Sequence, residues 1–233
     1  MERKILNKLI KWKNSPKRMP LLIYGARQVG KTYTALTFGK QYYKNTVYIN
    51  MEGSTEIAAI FERDLNCERI LRELSAKSGQ TILKGDTLLI FDEIQSCERA
   101  LTSLKYFCEE APEYHIIAAG SLLGVALNRE KYSFPVGKVD MLTLYPLDFE
   151  EFLWATDNRK MCELIKECYE DFLPNPLHDT AMDLYKNYLV VGGMPRAVSE
   201  YMDTKDFDFV VAAQKSLNDA YIACLLYTSD AAD

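Results

Sequence analysis

Gly25-Ala26-Arg27-Gln28-Val29-Gly30-Lys31-Thr32 satisfies the pattern G-x-x-x-x-G-K-[ST] at every fixed position. Before it, Met19 to Tyr24 is a short apolar run of the kind that forms a buried strand. After it, Thr34, Ala35, Leu36, Phe38 and Gly39 continue at helical rather than alternating spacing. A strand that enters a glycine-bearing loop and leaves as a helix aims several backbone N–H groups and the positive end of the helix dipole at one point, which suits a polyphosphate. Gly25 and Gly30 permit the tight backbone, Lys31 is expected to reach the β- and γ-phosphates, and the Thr32 hydroxyl to hold Mg²⁺. The candidate phosphate-contacting set is therefore Gly25, Ala26, Arg27, Gln28, Val29, Gly30, Lys31 and Thr32, with Tyr33 just inside the helix.

The second informative stretch is Thr87-Leu88-Leu89-Ile90-Phe91-Asp92-Glu93, whose acids begin sixty-one residues after Lys31. A continuous apolar run that ends in two carboxylates reads as a strand buried on both faces, with its C-terminal end opening into a crevice. Beside a phosphate loop, Asp92 is expected to help hold Mg²⁺, and Glu93 to orient and polarise an attacking water. Two acids at a solvated strand end are the bland alternative. A further strand, His115 to Ser121, ends in a hydroxyl. Ser121 there is either a sensor beside the γ-phosphate or the N-cap of a following helix, and the sequence does not separate the two.

The rest of the chain bounds the answer. It has 233 residues, 48% of them hydrophobic, and a net charge of −5. That is enough for one large domain with a real core, or one domain and part of a second, and it argues against an extended basic surface for nucleic acid. Lys4, Lys8, Lys11 and Lys13 alternate with Ile5, Leu6, Leu9, Ile10 and Trp12, so residues 2 to 14 read as an amphipathic helix rather than a signal peptide. Its apolar stripe has two possible docks, the nucleotide domain or a partner. No apolar run is long enough to span a bilayer, and the default location is the cytoplasm. The six cysteines contain no C-x-x-C pair and the histidines are His115 and His178, a pattern of packed reduced thiols rather than a zinc site.

Between the informative stretches, Thr46 to Met51 is expected as a second strand, residues 55 to 63, 66 to 77 and 98 to 111 as helices, and Val139 to Leu147 as a fifth strand. Residues 128 to 138 read as an exposed basic loop. From Asp148 helical patterns recur over 160 to 172, 179 to 190, 195 to 202 and 207 to 222, broken by Pro174, Pro176 and Gly192-Gly193-Met194-Pro195. The expected organisation is an N-terminal helix (1–18), a nucleotide-binding core (19–147) and a helical lid (148–223). The last ten residues, Cys224 to Asp233, match one translated frame of a transposase adapter used in preparing sequencing libraries. They are set aside as foreign. On this expectation the natural chain runs past Ala223 into a C-terminal domain that is missing here.

With these elements placed, the chain resembles the bacterial and archaeal AAA+-superfamily ATPases that carry a C-terminal domain of unknown function. The resemblance rests on GARQVGKT at 25 to 32, LLIFDEIQ at 88 to 95, AAGS at 118 to 121, VDMLTLYPLDFEEFL at 139 to 153 and YLVVGGMPRAV at 188 to 198. The last two, in this order, are the most specific. It implies an α/β phosphate-loop fold: a five-stranded parallel sheet of order 5-1-4-3-2 flanked by helices, followed by a helical subdomain. It also implies Lys31 and Thr32 for phosphate and Mg²⁺, Asp92 for Mg²⁺, Glu93 as catalytic carboxylate and Ser121 at the sensor position.

Two departures stand out. Where many relatives have Ala-Gly-Arg before the fifth strand, this chain has Val136-Gly137-Lys138, and a lysine lacks the planar fork of an arginine. Arg196 stands where many relatives have an acid, either to sense nucleotide or to make a surface ion pair.

The expected activity is Mg²⁺-dependent ATP binding and hydrolysis, coupled to an unknown protein or nucleic-acid partner, with a homo-oligomer as one arrangement open to the chain. Arg129 is the candidate for an arginine completing a neighbour's site. ATP over GTP follows from the resemblance, since no guanine-reading N-K-x-D motif is present. A nucleotide-gated binding module with little turnover is the alternative. A phosphotransferase is a third reading, disfavoured by a carboxylate poised for water.

Overall fold

The computed structural model describes residues 1–121, 135 and 137–229, with the side chains of 224–229 left aside. It divides into two compact units, Lys4–Tyr145 and Met1–Arg3 with Pro146–Asp233.

In the first unit five strands form one sheet: β1 (Leu21–Gly25), β2 (Asn45–Asn50), β3 (Thr87–Asp92), β4 (His115–Ser121) and β5 (Asp140–Thr143). Their order is β2-β3-β4-β1-β5, the expected 5-1-4-3-2 read from the other edge, and every described pairing is parallel. Helix α1 (Ile5–Lys13) precedes β1; parallel strands need crossovers, and α2 (Lys31–Tyr42), α3 (Thr55–Arg63), α4 (Cys67–Ser78) and α5 (Glu98–Glu110) supply them between β1 and β4. Each residue of β3 and β4 is buried, as befits central strands covered on both faces.

The two-residue period of a strand sorts side chains between two cores. Leu89 and Phe91 of β3 pack with Val47, Ile57, Phe61, Leu74 and Phe107 on the side of α3, α4 and α5. Leu88 and Ile90 pack with Leu9, Trp12, Ile23 and Phe38 on the side of α1 and α2. Asp92, two residues on from Ile90, therefore belongs to the α2 face. The stripe of α1 docks on this second core, with Ile5, Leu9 and Trp12 buried, which answers the question its sequence left open. Burying each such side chain is worth about 1.5–3 kcal/mol. Gly39 lets α2 lie close on β2, because a Cβ there would come within 2.4 Å of Thr46 Oγ1.

Two boundaries differ from expectation by four residues or more. β5 stops at Thr143 rather than Leu147. Its partner β1 turns away at Gly25, and after the bond from Leu144 N to Tyr24 O (2.8 Å) the chain meets Pro146, which has no N–H to donate. The last helix runs over Phe207–Ser229 rather than ending at 222, with no Gly or Pro to stop it.

The second unit is helical: α6 (Phe149–Ala155), α7 (Arg159–Glu170), α8 (His178–Val191), α9 (Pro195–Thr204) and α10 (Phe207–Ser229). Asp148 and Glu151 form a capping box at the start of α6, and Arg3 Nε lies 3.2 Å from Glu151 Oε2. Leu147, Phe152, Val191, Ala197, Val198 and Val210 make its core. Gly193 is required where it stands, since a Cβ would meet Leu147 O at 2.0 Å.

Candidate functional site

β1 delivers the chain into the loop at Gly25, and α2 takes it away at Lys31. Gly25 is demanded by packing: a Cβ would lie 2.2 Å from Leu144 O. Gln28 (φ 59°) and Gly30 (φ 96°) are left-handed, and this curls the loop so that Gly30 becomes the N-cap of α2. No side chain caps that end, so the first-turn N–H groups and the helix dipole face the loop's concavity. Val29 is buried in the α1–α2 core and anchors the loop, whereas Ala26, Arg27 and Gln28 are exposed. Tyr33, on the first turn of α2, is also exposed, with 59% of its surface accessible.

The Lys31 ammonium donates to two loop carbonyls, Gly25 O at 3.1 Å and Ala26 O at 2.8 Å. Burial pulls its pKa below the ordinary lysine value, while the charges of Glu93 and Asp92 push it back up. Lys31, Asp92 and Glu93 are thus electrostatically one cluster, although two separate loops supply them.

Asp92, 4% exposed at the end of β3, is the hub. Its Oδ2 accepts from Thr32 Oγ1 at 2.8 Å and from the Tyr48 hydroxyl at 2.9 Å, and its Oδ1 accepts from Glu93 N at 3.1 Å. Nothing in the sequence marks Tyr48 as a site residue. Its phenol pKa is pushed up to about 12 by burial and by the hydrogen bond to Asp92. What brings it here is register: Asn50 of β2 pairs with Asp92, so Tyr48, two residues earlier, shares the α2 face and stands diagonally across from the carboxylate. An aromatic residue two places before Asn50 was visible in the chain, but not the pairing.

Glu93 opens a 3₁₀ turn, Ile94–Ser96, with φ at 48°. Its carboxylate accepts from Gln95 Nε2. In the Lys4–Tyr145 unit, Gln28 and Glu93 are the described non-glycine residues with positive φ, one on each loop of the site. Such backbone costs about 1–3 kcal/mol and persists where surrounding structure imposes it.

Ser121 is buried at the end of β4, in register with Gly25, so its strand position is beside the first residue of the loop. The residues that would make it an N-cap lie outside the described ones, as does Arg129. Lys138 is placed elsewhere: it precedes β5, whose Asp140 pairs with Leu21 at the start of β1, and so lies at the sheet edge opposite Gly25. There it pairs with Glu109 at 2.9 Å. Arg196 donates to Ser216 Oγ at 3.2 Å and, among the described residues, forms no ion pair. A cavity of about 290 Å³, lined in part by Cys67, Lys84, Glu110 and Tyr114, holds none of the site residues.

These donors fit a hard divalent cation bound with polyphosphate: a hydroxyl and a buried carboxylate within hydrogen-bond reach, next to a loop rich in N–H groups.

A family model described as an AAA domain matches residues 17–153. No curated protein matches the chain. Among solved structures, the chain is similar to a signal transduction ATPase with numerous domains (STAND) that carries a tetratricopeptide repeat sensor, from Pyrococcus horikoshii. The identity is 17%, over 91% of this chain and 31% of that one, with a TM-score of 0.50. It is also similar to PCH-2 of C. elegans, with 13% identity, 92% and 68% coverage and a TM-score of 0.48. ORC1 of Aeropyrum pernix, solved in complex with DNA, gives 15%, 92%, 64% and 0.45. The chain therefore spans less than two thirds of the length of the Pyrococcus and Aeropyrum proteins. Among the described residues no helix is long and apolar enough to cross a membrane. The family match takes in all five strands and both loops of the site, more than half of the chain, and on that ground the chain belongs to the AAA domain family of phosphate-loop ATPases.

Proposed function

We propose that the chain binds Mg·ATP between the 25–32 loop and the end of β3 and hydrolyses its β–γ anhydride. The observation that carries this reading is the 2.8 Å bond between Thr32 and Asp92, which joins the hydroxyl of the phosphate loop to the acid of β3. Bound Mg²⁺ would sit with Thr32 and Asp92 and neutralise the charge that develops on the phosphates. Lys31 and the loop N–H groups orient the phosphate chain. Glu93 holds and polarises a water for in-line attack: the water oxygen bonds to the γ-phosphorus, the bridging oxygen departs with ADP, and the proton passes to solvent or phosphate. Ser121, beside Gly25 in the sheet, senses the γ-phosphate.

Coupling to a protein or nucleic-acid partner, or to a second copy of the chain, belongs to the same reading. An arginine supplied in trans raises such rates by about 10³–10⁵, so the isolated chain turns over slowly. The test is Mg·ATP titration with thermal melting and steady-state phosphate release. The parent protein gains melting temperature and Lys31→Ala does not. Glu93→Gln binds as tightly as the parent and loses about 100-fold or more in turnover. Equal turnover by Glu93→Gln would reject the hydrolytic role.

A second reading, a nucleotide-gated binding module with little turnover, is favoured by the placement of Lys138. The cation that departs from the family pattern is tied to Glu109 at the far edge of the sheet. Saturable ATP binding without phosphate release, with or without partners, would select it.

A further inference from the structure

Asp92 Oδ2 accepts hydrogen bonds from two hydroxyls, one of Thr32 on α2 and one of Tyr48 on β2, an edge strand of the sheet. Nucleotide chemistry gives Thr32 and Asp92 their tasks, but it asks nothing of a tyrosine. Tyr48 as a residue is 39% exposed, a level at which a tyrosine commonly leaves its hydroxyl to solvent. It nevertheless meets the most buried carboxylate of the site.

The consequence lies in the lone pairs and protons. A hydroxyl has one proton and two lone pairs, so Thr32, donating its O–H to Asp92, keeps its lone pairs for a cation. A carboxylate with one oxygen tied would still turn about its Cβ–Cγ bond. Here Oδ1 is held by Glu93 N and Oδ2 by two hydroxyls from different elements, so both ends are fixed. Of these donors Tyr48 alone comes from outside the two loops of the site. It ties the acid to the sheet edge rather than to segments that contact nucleotide.

We propose that Tyr48 is a positioning residue for the metal site, its hydroxyl fixing the plane of the Asp92 carboxylate so that Mg²⁺ meets a preorganised acid. This rests on the Mg·ATP reading above.

The experiment compares ATP affinity by calorimetry in magnesium chloride and in EDTA, for the parent protein and Tyr48→Phe. The phenyl ring keeps the packing and removes the donor. The gain in affinity conferred by Mg²⁺ falls about three- to tenfold in Tyr48→Phe, the size of one hydrogen bond of ordinary net strength. The metal-free affinity serves as internal reference. A tyrosine that only supported the fold would weaken both affinities together and lower the melting temperature in EDTA, and that result overturns the proposal.

A double-mutant cycle with Asp92→Asn gives a second arm: Tyr48→Phe adds nothing once the carboxylate is gone. An unchanged Mg²⁺ gain in Tyr48→Phe, beside a parent that shows one, rejects the role of Tyr48 and leaves the Mg·ATP reading standing. A parent that gains nothing from Mg²⁺ rejects both.

Discussion

Thr32 Oγ1 and Asp92 Oδ2 lie 2.8 Å apart, one at the start of a helix and the other at the end of a strand that does not adjoin β1 in the sheet. β4 stands between β1 and β3, so the contact is made over the top of the sheet, where the C-terminal ends of parallel strands face the helix that follows β1.

Asp92→Asn tests what this contact is for. The amide keeps the size of the acid and one acceptor for Thr32, but it removes the negative charge. Mg²⁺-dependent ATP affinity is expected to fall about tenfold or more, while ATP binding in EDTA changes little. The Lys31 pKa should drop further from the ordinary lysine value, because Asp92 is one of the charges that raise it. Calorimetry in the two buffers reads the first effect.

Gly25→Ala tests packing under the loop. The new Cβ would stand 2.2 Å from Leu144 O, a backbone atom that cannot swing aside, and the β1–β5 edge must spread to admit it. A destabilisation of about 2–4 kcal/mol in urea unfolding is expected, with loss of the Mg·ATP melting shift. Unchanged unfolding would show that the close approach is relieved at no cost.

His115 predicts a pH effect away from the site. It is buried at the start of β4, with Nδ1 2.7 Å from the Tyr43 hydroxyl, and burial, aided by the charges of Arg18 and Lys13, pulls its pKa down to about 4. The unfolded chain takes up this proton near pH 6.5, and the folded chain only near 4. The unfolded state therefore binds more protons in that window. Stability is unaffected by His115 above about pH 6.5, falls on acidification, and the loss is complete near pH 4, on the order of 3 kcal/mol. His115→Gln should flatten the stability profile between those limits relative to the parent. Parallel profiles would sink the assignment.

Much of the site was legible because its chemistry is local. Gly25 to Thr32 is contiguous, and the loop needs its residue types in that order whatever surrounds them. Asp92 and Glu93 were readable as candidates because their apolar run accompanies a complete phosphate-loop motif; alone, a solvated strand end would account for them. The sheet order came from family resemblance, since periodicity reports which residues face a core but not which strands adjoin. The end of β5 was misjudged because a strand stops when its partner leaves, and the departure of β1 at Gly25 is not written in residues 139 to 147.

By itself, the sequence determined the loop, the two acids and the alternation of strand and helix, because these depend on backbone conformation and on periods of two and 3.6 residues. Only the tertiary structure decided that α1 closes the α2-side core, that Lys138 belongs to the edge of the sheet opposite the loop, and that Tyr48 meets Asp92. Each of those depends on strand register and on what lies across a face, quantities set by packing between segments far apart in the chain.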